Sequence, residues 1–320
     1  MTASLLGGGA YTPRYRIDAE TISNATGSFA GRGIETKAVA SADEDAVTMG
    51  VEAAERALAD AGCSADDVGS ISVGTTTPPV DEGDVGVQFA EMLGLRGTVD
   101  VSIHTQSTRG GTRALLSAVR APDSPGLVIA TDCPKGPRGT AIDDAAGAGA
   151  VAFVVGSDGP VTLEETGTYA REFSGTRFRR RGSTVTESYG ATAYERRAYT
   201  EVSGAAIEAM ETTPGAIAPT APNGSLPYRA AGSTDADPAV YELAACLGDT
   251  GTASPFFGLL DAWAGGETDV LVVGYGDGSG ADAIALQGSL SISWERETTD
   301  IRYAEYAAKR ARPVGNGGDP

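Results

Sequence analysis

One order of elements occurs twice along the chain, and this repeat constrains the fold more than any other feature of the sequence. In the first half, "SADEDAVTMGVEAAERALADAG" places Val47, Val51, Ala54, Leu58 and Ala61 at helical spacing. A short strand, "VGSISVG", follows and leads into a threonine-rich loop. Next come the turn and helix "STRGGTRALLSAVRA", the apolar strand "GLVIATD" and the glycine-rich strand "GAGAVAFVVG". The second half runs through the helix "AYTEVSGAAIEAMETT", the strand and polar loop "GAIAPTAPNG", and the turn and helix "LGDTGTASPFFGLLDAWAGG". It closes on the strands "TDVLVVGYG" and "GSGADAIALQG". The copies lie about 160 residues apart, which predicts an α/β protein of two duplicated halves packed about a pseudo-twofold axis. The halves are expected at residues 1–165 and 166–320, with an arginine-rich connecting segment opening the second.

Local signals sharpen a few boundaries. Ser41 and Glu44 have the spacing of a capping box, and Gly62 supplies a helix stop. The terminal "KRARPVGNGGDP" reads as a frayed tail.

The charge balance excludes some partners. Acidic residues outnumber basic ones by 43 to 24, for a formal charge of −19. Such a surface repels nucleic acid and anionic membranes. The bases are also skewed, since Lys37, Lys135 and Lys309 are the only lysines and the rest are arginines. Abundant carboxylates with scarce lysine suit a salt-rich cytosol, where cations screen self-repulsion, and so a halophilic source. Cys63, Cys133 and Cys246 are odd in number and far apart, which argues against a disulfide framework or a zinc site and for a reducing cytoplasm. The start "MTASLLGGGAYTPRY" has no basic, apolar leader pattern, and no apolar run approaches the ~20 residues of a membrane helix.

Chemistry is expected at the turn before "GGTRALL". A small polar turn breaking into a helix can present a nucleophile, and Ser107 and Thr108 stand there, but no cysteine does. His104, the single histidine, lies in the preceding strand and reads as structural. Cys63 follows a helix stop and reads as surface, while Cys133 and Cys246 lie near the turns without occupying a nucleophile position. "REFSGTRFRRRGSTVTESYGATAYERR" is either a solvated charged face or a landing site for a phosphate-bearing ligand, which the planar guanidinium fork suits.

Several motifs together carry a family resemblance. "GGGAYTPRYRI", "ETKAVASADEDAVTM", "RFRRRGSTVTESYG", "APNGSLPYRAA", "GDTGTASPFFGLLDAW" and "VVGYGDGSGADAIAL" resemble the archaeal and bacterial hydroxymethylglutaryl-CoA synthases in order and spacing, from Gly7 to about Tyr306. The resemblance implies a thiolase-type, five-layered αβαβα fold and a coenzyme A or acyl-CoA ligand, with no permanently bound cofactor or metal. It also implies a glutamate, a cysteine and a histidine in the catalytic positions. The cysteine takes an acetyl group, the glutamate handles the proton, and the histidine polarises the second substrate. The matching positions here are Thr76 for the glutamate, Thr108 for the cysteine and Thr220 for the histidine, and Asp249 stands where the family has an asparagine. Arg179, Arg180, Asn223, Gly276 and Gly278 are the matching candidates for an acyl-CoA pocket.

Three functions are consistent with a synthase-like chain whose three chemical groups have become threonine. The first is a non-catalytic acyl-CoA-binding subunit, in a homodimer or paired with an active thiolase-superfamily protein or with the small OB-fold/zinc-ribbon protein that accompanies archaeal members. The second is an acyl-CoA condensing or acyltransferase enzyme with altered chemistry. The third is an acyl-CoA sensor or carrier.

Overall fold

The computed structural model describes residues 3–120, 125–212, 215–232, 234, 237–278 and 280–311. The first half of the chain contributes five strands to the main sheet. These are β1 (Ala3–Tyr11), β4 (Ser70–Gly74), β5 (Asp100–His104), β6 (Gly126–Asp132) and β7 (Gly149–Ser157). Five further strands complete it: β8 (Val161–Tyr169), which spans the boundary at residue 165, β9 (Ala216–Pro219), β10 (Ala239–Val240), β11 (Asp269–Gly276) and β12 (Gly280–Gln287).

Among the described residues these ten strands run in the order β10-β9-β11-β12-β8-β1-β7-β6-β4-β5. Outward from β1 the pairings are antiparallel, antiparallel, parallel and parallel, and outward from β8 the same sequence recurs. The halves meet where β1 and β8 pair antiparallel through Ser4 with Thr162 and Leu5 with Val161. The duplication read from the sequence is thus present in strand order and direction. A small sheet of β2 (Tyr15–Asp18), β3 (Thr36–Val39) and β13 (Thr299–Asp300) lies apart from it.

Side-chain alternation along the strands builds the layers. On β6, Leu127 and Ile129 pack with α2 (Ala46–Ala61) and α3 (Val85–Met92), whereas Val128 and Ala130 turn to the opposite face. On β11, Val270 and Val272 join that same inner cluster, and Leu271 and Val273 pack outward against α6 (Thr192–Glu208) and α7 (Tyr228–Ala231). Between the two half-sheets lie α4 (Gly110–Val119) and α9 (Ser254–Ala264), which contribute Leu115, Phe256, Phe257 and Leu260. Both are buried around most of their circumference, as a helix sandwiched between sheets requires. The result is the five-layered αβαβα arrangement. Phe153 anchors its centre edge-on to Phe256 and Trp263, at centroid distances of 5.4 and 6.2 Å.

The remaining helices are peripheral: α1 (Ala19–Thr26), α5 (Ala141–Ala145), α8 (Ala244–Leu247) and α10 (Tyr303–Ala311). Among the described residues no helix is long and apolar enough to cross a membrane.

Three local expectations are corrected. Helix α2 is capped by Asp45 and Thr48 rather than by Ser41 and Glu44. The short Asp45 side chain, one residue before the helix, accepts from Val47 N and Thr48 N at 2.9 Å each, while Thr48 Oγ1 accepts from Asp45 N. Ser41 N instead donates to Glu44 at 2.6 Å and closes the turn before the helix. Cys63, expected at the surface, is half-buried against the α2 cluster. The tail is helical through Ala311, because Arg310 is anchored on Pro134 O and Asp143. The rest of the expected tail lies outside the described residues. Gly62 does stop α2, with φ of 61°.

Candidate functional site

The parallel strands of each half end on one side of the molecule, and the candidate residues follow those ends. β4 stops at Gly74 and leads into Thr75, Thr76 and Thr77. β6 stops at Asp132, next to Cys133. In the second half β9 stops before Thr220 and β11 before Asp277, while the turn containing Asp249 and Thr252 precedes α9. Ligand sites of open α/β sheets form at such strand ends.

Asp132 organises the first group and was not singled out in the sequence. Its carboxylate is fully buried. Oδ1 accepts from Thr75 Oγ1 at 3.0 Å, Thr76 N at 2.7 Å, Thr76 Oγ1 at 3.1 Å and Thr77 Oγ1 at 2.8 Å. Oδ2 accepts from Thr252 N at 2.8 Å, bringing the two halves together. Burial pushes its pKa above the usual carboxylate range, against the pull of these hydrogen bonds. Close approach here requires glycine. A Cβ on Gly251, whose φ is +58°, would overlap the Asp132 carboxylate, and one on Gly74 would overlap the Gly110 backbone.

Thr108 and Thr220 form the second group through the backbone of Tyr275. Thr108 Oγ1 donates to Tyr275 O at 2.8 Å, and Thr220 Oγ1 accepts from Tyr275 N at 2.9 Å. Thr220 Oγ1 also donates to Val273 O at 3.3 Å. Both side chains are buried. Thr108 precedes the start of α4, as its motif implied.

Asp249 belongs to a third group. It accepts from Arg177 Nη1 at 2.6 Å, and Asp277 lies 3.9 Å from the same nitrogen. Burial works against the charge on Arg177, but Asp249 and Asp277 hold the guanidinium above the usual arginine range. Burial pushes Asp277 up to about 7, with Arg177 opposing. Arg177 Nη2 is buried with no hydrogen-bond partner.

Two cavities flank this junction. The larger, of about 720 Å³, is lined by Asp249, Arg177, Asp277, Tyr275 and Asn223 and by the exposed Arg32 and Arg196. The smaller, of about 280 Å³, is lined by Thr77, Cys133, Lys135, Arg179, Tyr306 and Arg310, among others. Asn223 and Arg179 therefore face different cavities. Arg179 donates from Nη2 to Thr76 O at 2.6 Å. Arg180 is exposed, pairs with Glu187 and stacks on Phe178 and Tyr189. Gly276 ends β11, and Gly278 O accepts from Phe173 N at 3.0 Å. Arg180, Gly276 and Gly278 are not part of either cavity wall. Thr76, Thr108 and Thr220 likewise line neither cavity, although Thr77, Asp249 and Tyr275 do.

Burial shifts the remaining candidates. Burial, with Asp132 alongside, pushes the Cys133 thiol up to about 11. Burial also raises the pKa of Cys246, which sits before the Asp249 turn. His104 is half-buried at the end of β5, with its pKa pushed down by burial and by Arg113. Among the described residues no group of histidines, cysteines and carboxylates could hold a metal ion.

No family model matches the sequence. The chain is 30% identical over 321 residues to the hydroxymethylglutaryl-CoA synthase of Pyrobaculum aerophilum, covering 93% of this chain and 90% of that one. It is 29% identical over 341 residues to the hydroxymethylglutaryl-CoA synthase of Methanopyrus kandleri, covering 96% and 97%. Among solved structures, an HMG-CoA synthase complexed with CoA superposes with a TM-score of 0.86 at 17% identity, over 98% of this chain and 91% of that one. The 3-oxoacyl-[acyl-carrier-protein] synthase III of Aquifex aeolicus superposes at 0.77 with 20% identity, over 89% and 99%.

Proposed function

The chain belongs to the hydroxymethylglutaryl-CoA synthase family, and from that premise we propose that it binds an acyl-CoA in the larger cavity as a non-catalytic subunit. The observation that carries this reading is the fate of three hydroxyls. Thr76, Thr108 and Thr220 match the family's glutamate, cysteine and histidine positions, and each hydroxyl is committed to Asp132 or to backbone of β11. An alcohol attacks a thioester only with a base to take its proton. The acceptor of the Thr108 proton is the Tyr275 carbonyl oxygen, which has no basicity to offer. Loss of an interdependent catalytic group costs on the order of a thousandfold to a millionfold in rate.

Ligand binding asks less of the site. The larger cavity has the size of a cofactor site. Arg32 and Arg196 at its rim suit phosphate oxygens, Asn223 offers an amide, and Phe29, Ile142 and Leu226 offer an apolar wall. The solved relatives described as complexes with CoA and with 3-hydroxy-3-methylglutaryl coenzyme A support the same ligand class.

A dimer suits the first half. Among the described residues β5 pairs only with β4, so its outer edge carries no strand. Val80, Val87 and Met92 are exposed on the adjoining loop and on α3. A partner that covers an open edge and an apolar helix face relieves both liabilities. The partner is a second copy, an active superfamily member or an OB-fold/zinc-ribbon protein, and co-purification in molar KCl identifies which.

The deciding experiment incubates the purified chain with labelled acetyl-CoA and acetoacetyl-CoA in molar KCl. The expected result is exchangeable binding with no covalent acetyl group and no condensation product. A stoichiometric adduct on Thr108, Cys133 or Cys246 followed by turnover would replace this reading with that of an enzyme of altered chemistry.

A further inference from the structure

The three lysines of this chain stand at positions 37, 135 and 309, and the fold brings all three to the smaller cavity. Lys135 and Lys309 line it together with Arg179 and Arg310. Lys37 lies directly behind, where its Nζ donates to Tyr306 OH at 2.8 Å and to Asp143 O at 2.6 Å, and Tyr306 forms part of the cavity wall. Burial pushes Lys37 down to about 7, so the positive charge at the cavity comes from Lys135, Lys309, Arg179 and Arg310, in a chain of net charge −19.

Part of that charge is offset locally, because Arg310 pairs with Asp143 and three carboxylates share the cavity wall. Among the described residues neither Lys135 nor Lys309 forms an ion pair with a carboxylate. Lys309 rests on the Tyr15 ring, 3.8 Å from its centroid. Arg179 donates to the carbonyl of Thr76, and Arg310 divides itself between Pro134 O and Asp143. Glu44, Asp45 and Asp81 also line the cavity and keep their charge, but hydrogen bonds from neutral groups fix the first two in place. Glu44 accepts from Tyr11 OH and Ser41 N, and Asp45 caps α2. The wall also carries hydroxyls from Ser41, Thr77, Ser183 and Thr184 and an apolar stretch of Ala38, Ala40, Pro78, Ala146 and Ala148.

We propose that the smaller cavity is a second ligand site, which takes a small organic anion. The carboxylate or phosphate head lies among Lys135, Arg179 and Arg310, and the apolar body lies on the alanine wall. Charge-assisted hydrogen bonds from guanidinium and ammonium groups hold the head. Burial lowers the pKa of Lys135, and an anion beside it would reverse that shift. The site is distinct from the larger cavity. The two cavities share no lining residue. Both cavities can therefore be filled at once.

The test titrates phenyl phosphate, butyrate and inorganic phosphate into the full chain by calorimetry, at one fixed KCl concentration because salt screens the attraction. Phenyl phosphate or butyrate should bind, tighter than inorganic phosphate, and whichever of the two binds tighter identifies the head group. Lys135→Met should weaken that binding at least tenfold, Lys135→Arg should retain it, and Arg196→Met at the rim of the larger cavity should leave it unchanged. Saturating CoA should not displace the probe. The proposal is overturned if no organic probe binds, if Lys135→Met binds like the parent, if inorganic phosphate binds as tightly as phenyl phosphate, or if CoA competes.

Discussion

Replacing Asp132 should damage this protein more than the loss of any other single polar side chain at the junction of the halves. The carboxylate accepts from two backbone amides, Thr76 N and Thr252 N, and from the hydroxyls of Thr75, Thr76 and Thr77. In Asp132→Ala the hydroxyls can rotate to other acceptors, but the two amides cannot. A buried donor left unpaired costs about 1–3 kcal/mol, so the pair costs about 2–6 kcal/mol. Removing a buried carboxylate from a water-free site recovers part of that sum, because burial already disfavours its charge. The expected net loss is about 2–4 kcal/mol, a large share of the ~5–15 kcal/mol that holds a typical domain together. Asp132→Asn keeps one carbonyl for the threonine loop but turns an NH2 toward Thr252 N, so about 1–3 kcal/mol is expected. Denaturant unfolding followed by circular dichroism in molar KCl measures both. A loss below about 0.5 kcal/mol in Asp132→Ala would refute the view that this carboxylate joins the halves.

Three further outcomes follow from the same geometry. Asp277 has its pKa raised from 3.8 to about 7 by burial, so the folded state binds the proton more tightly than the unfolded state does. Its contribution favours folding below the unfolded pKa and is lost as pH rises toward 7, and Asp277→Asn should flatten the fall in stability measured between about pH 4 and 7. Gly251→Ala should cost about 1–3 kcal/mol, since a Cβ there meets the Asp132 carboxylate at a φ of +58°; a thermal scan showing no loss would contradict the close approach. Phe256→Ala should cost about 3–5 kcal/mol by opening a cavity beside Phe153 in the middle layer, to be measured by denaturant unfolding.

The sequence by itself determined the architecture, because each element carries its own period. The apolar runs of β6 and β11 read as buried strands since both faces of each half-sheet are covered, and the recurrence of the whole order implied the duplication that the strand pairings display. It also marked Thr76, Thr108, Thr220 and Asp249 as positions of interest, through the family resemblance that its motifs carry. What it could not supply was which polar groups the packing would bury together. Asp132 ends an apolar strand, a weak hint at most, and its partners Thr75–Thr77 and Thr252 lie far from it along the chain. Arg177 belongs to the same arginine-rich run as Arg179 and Arg180, yet Arg177 is held between two aspartates at the larger cavity, Arg179 faces the smaller cavity and Arg180 is exposed. No local pattern separates those three fates. The convergence of Lys37, Lys135 and Lys309 is likewise invisible in one dimension, since β3, the loop after β6 and α10 become neighbours only when the chain closes on itself. Local periodicity is encoded within a few residues, whereas burial and charge pairing depend on contacts between segments tens to hundreds of residues apart, and those were decided by the tertiary structure alone.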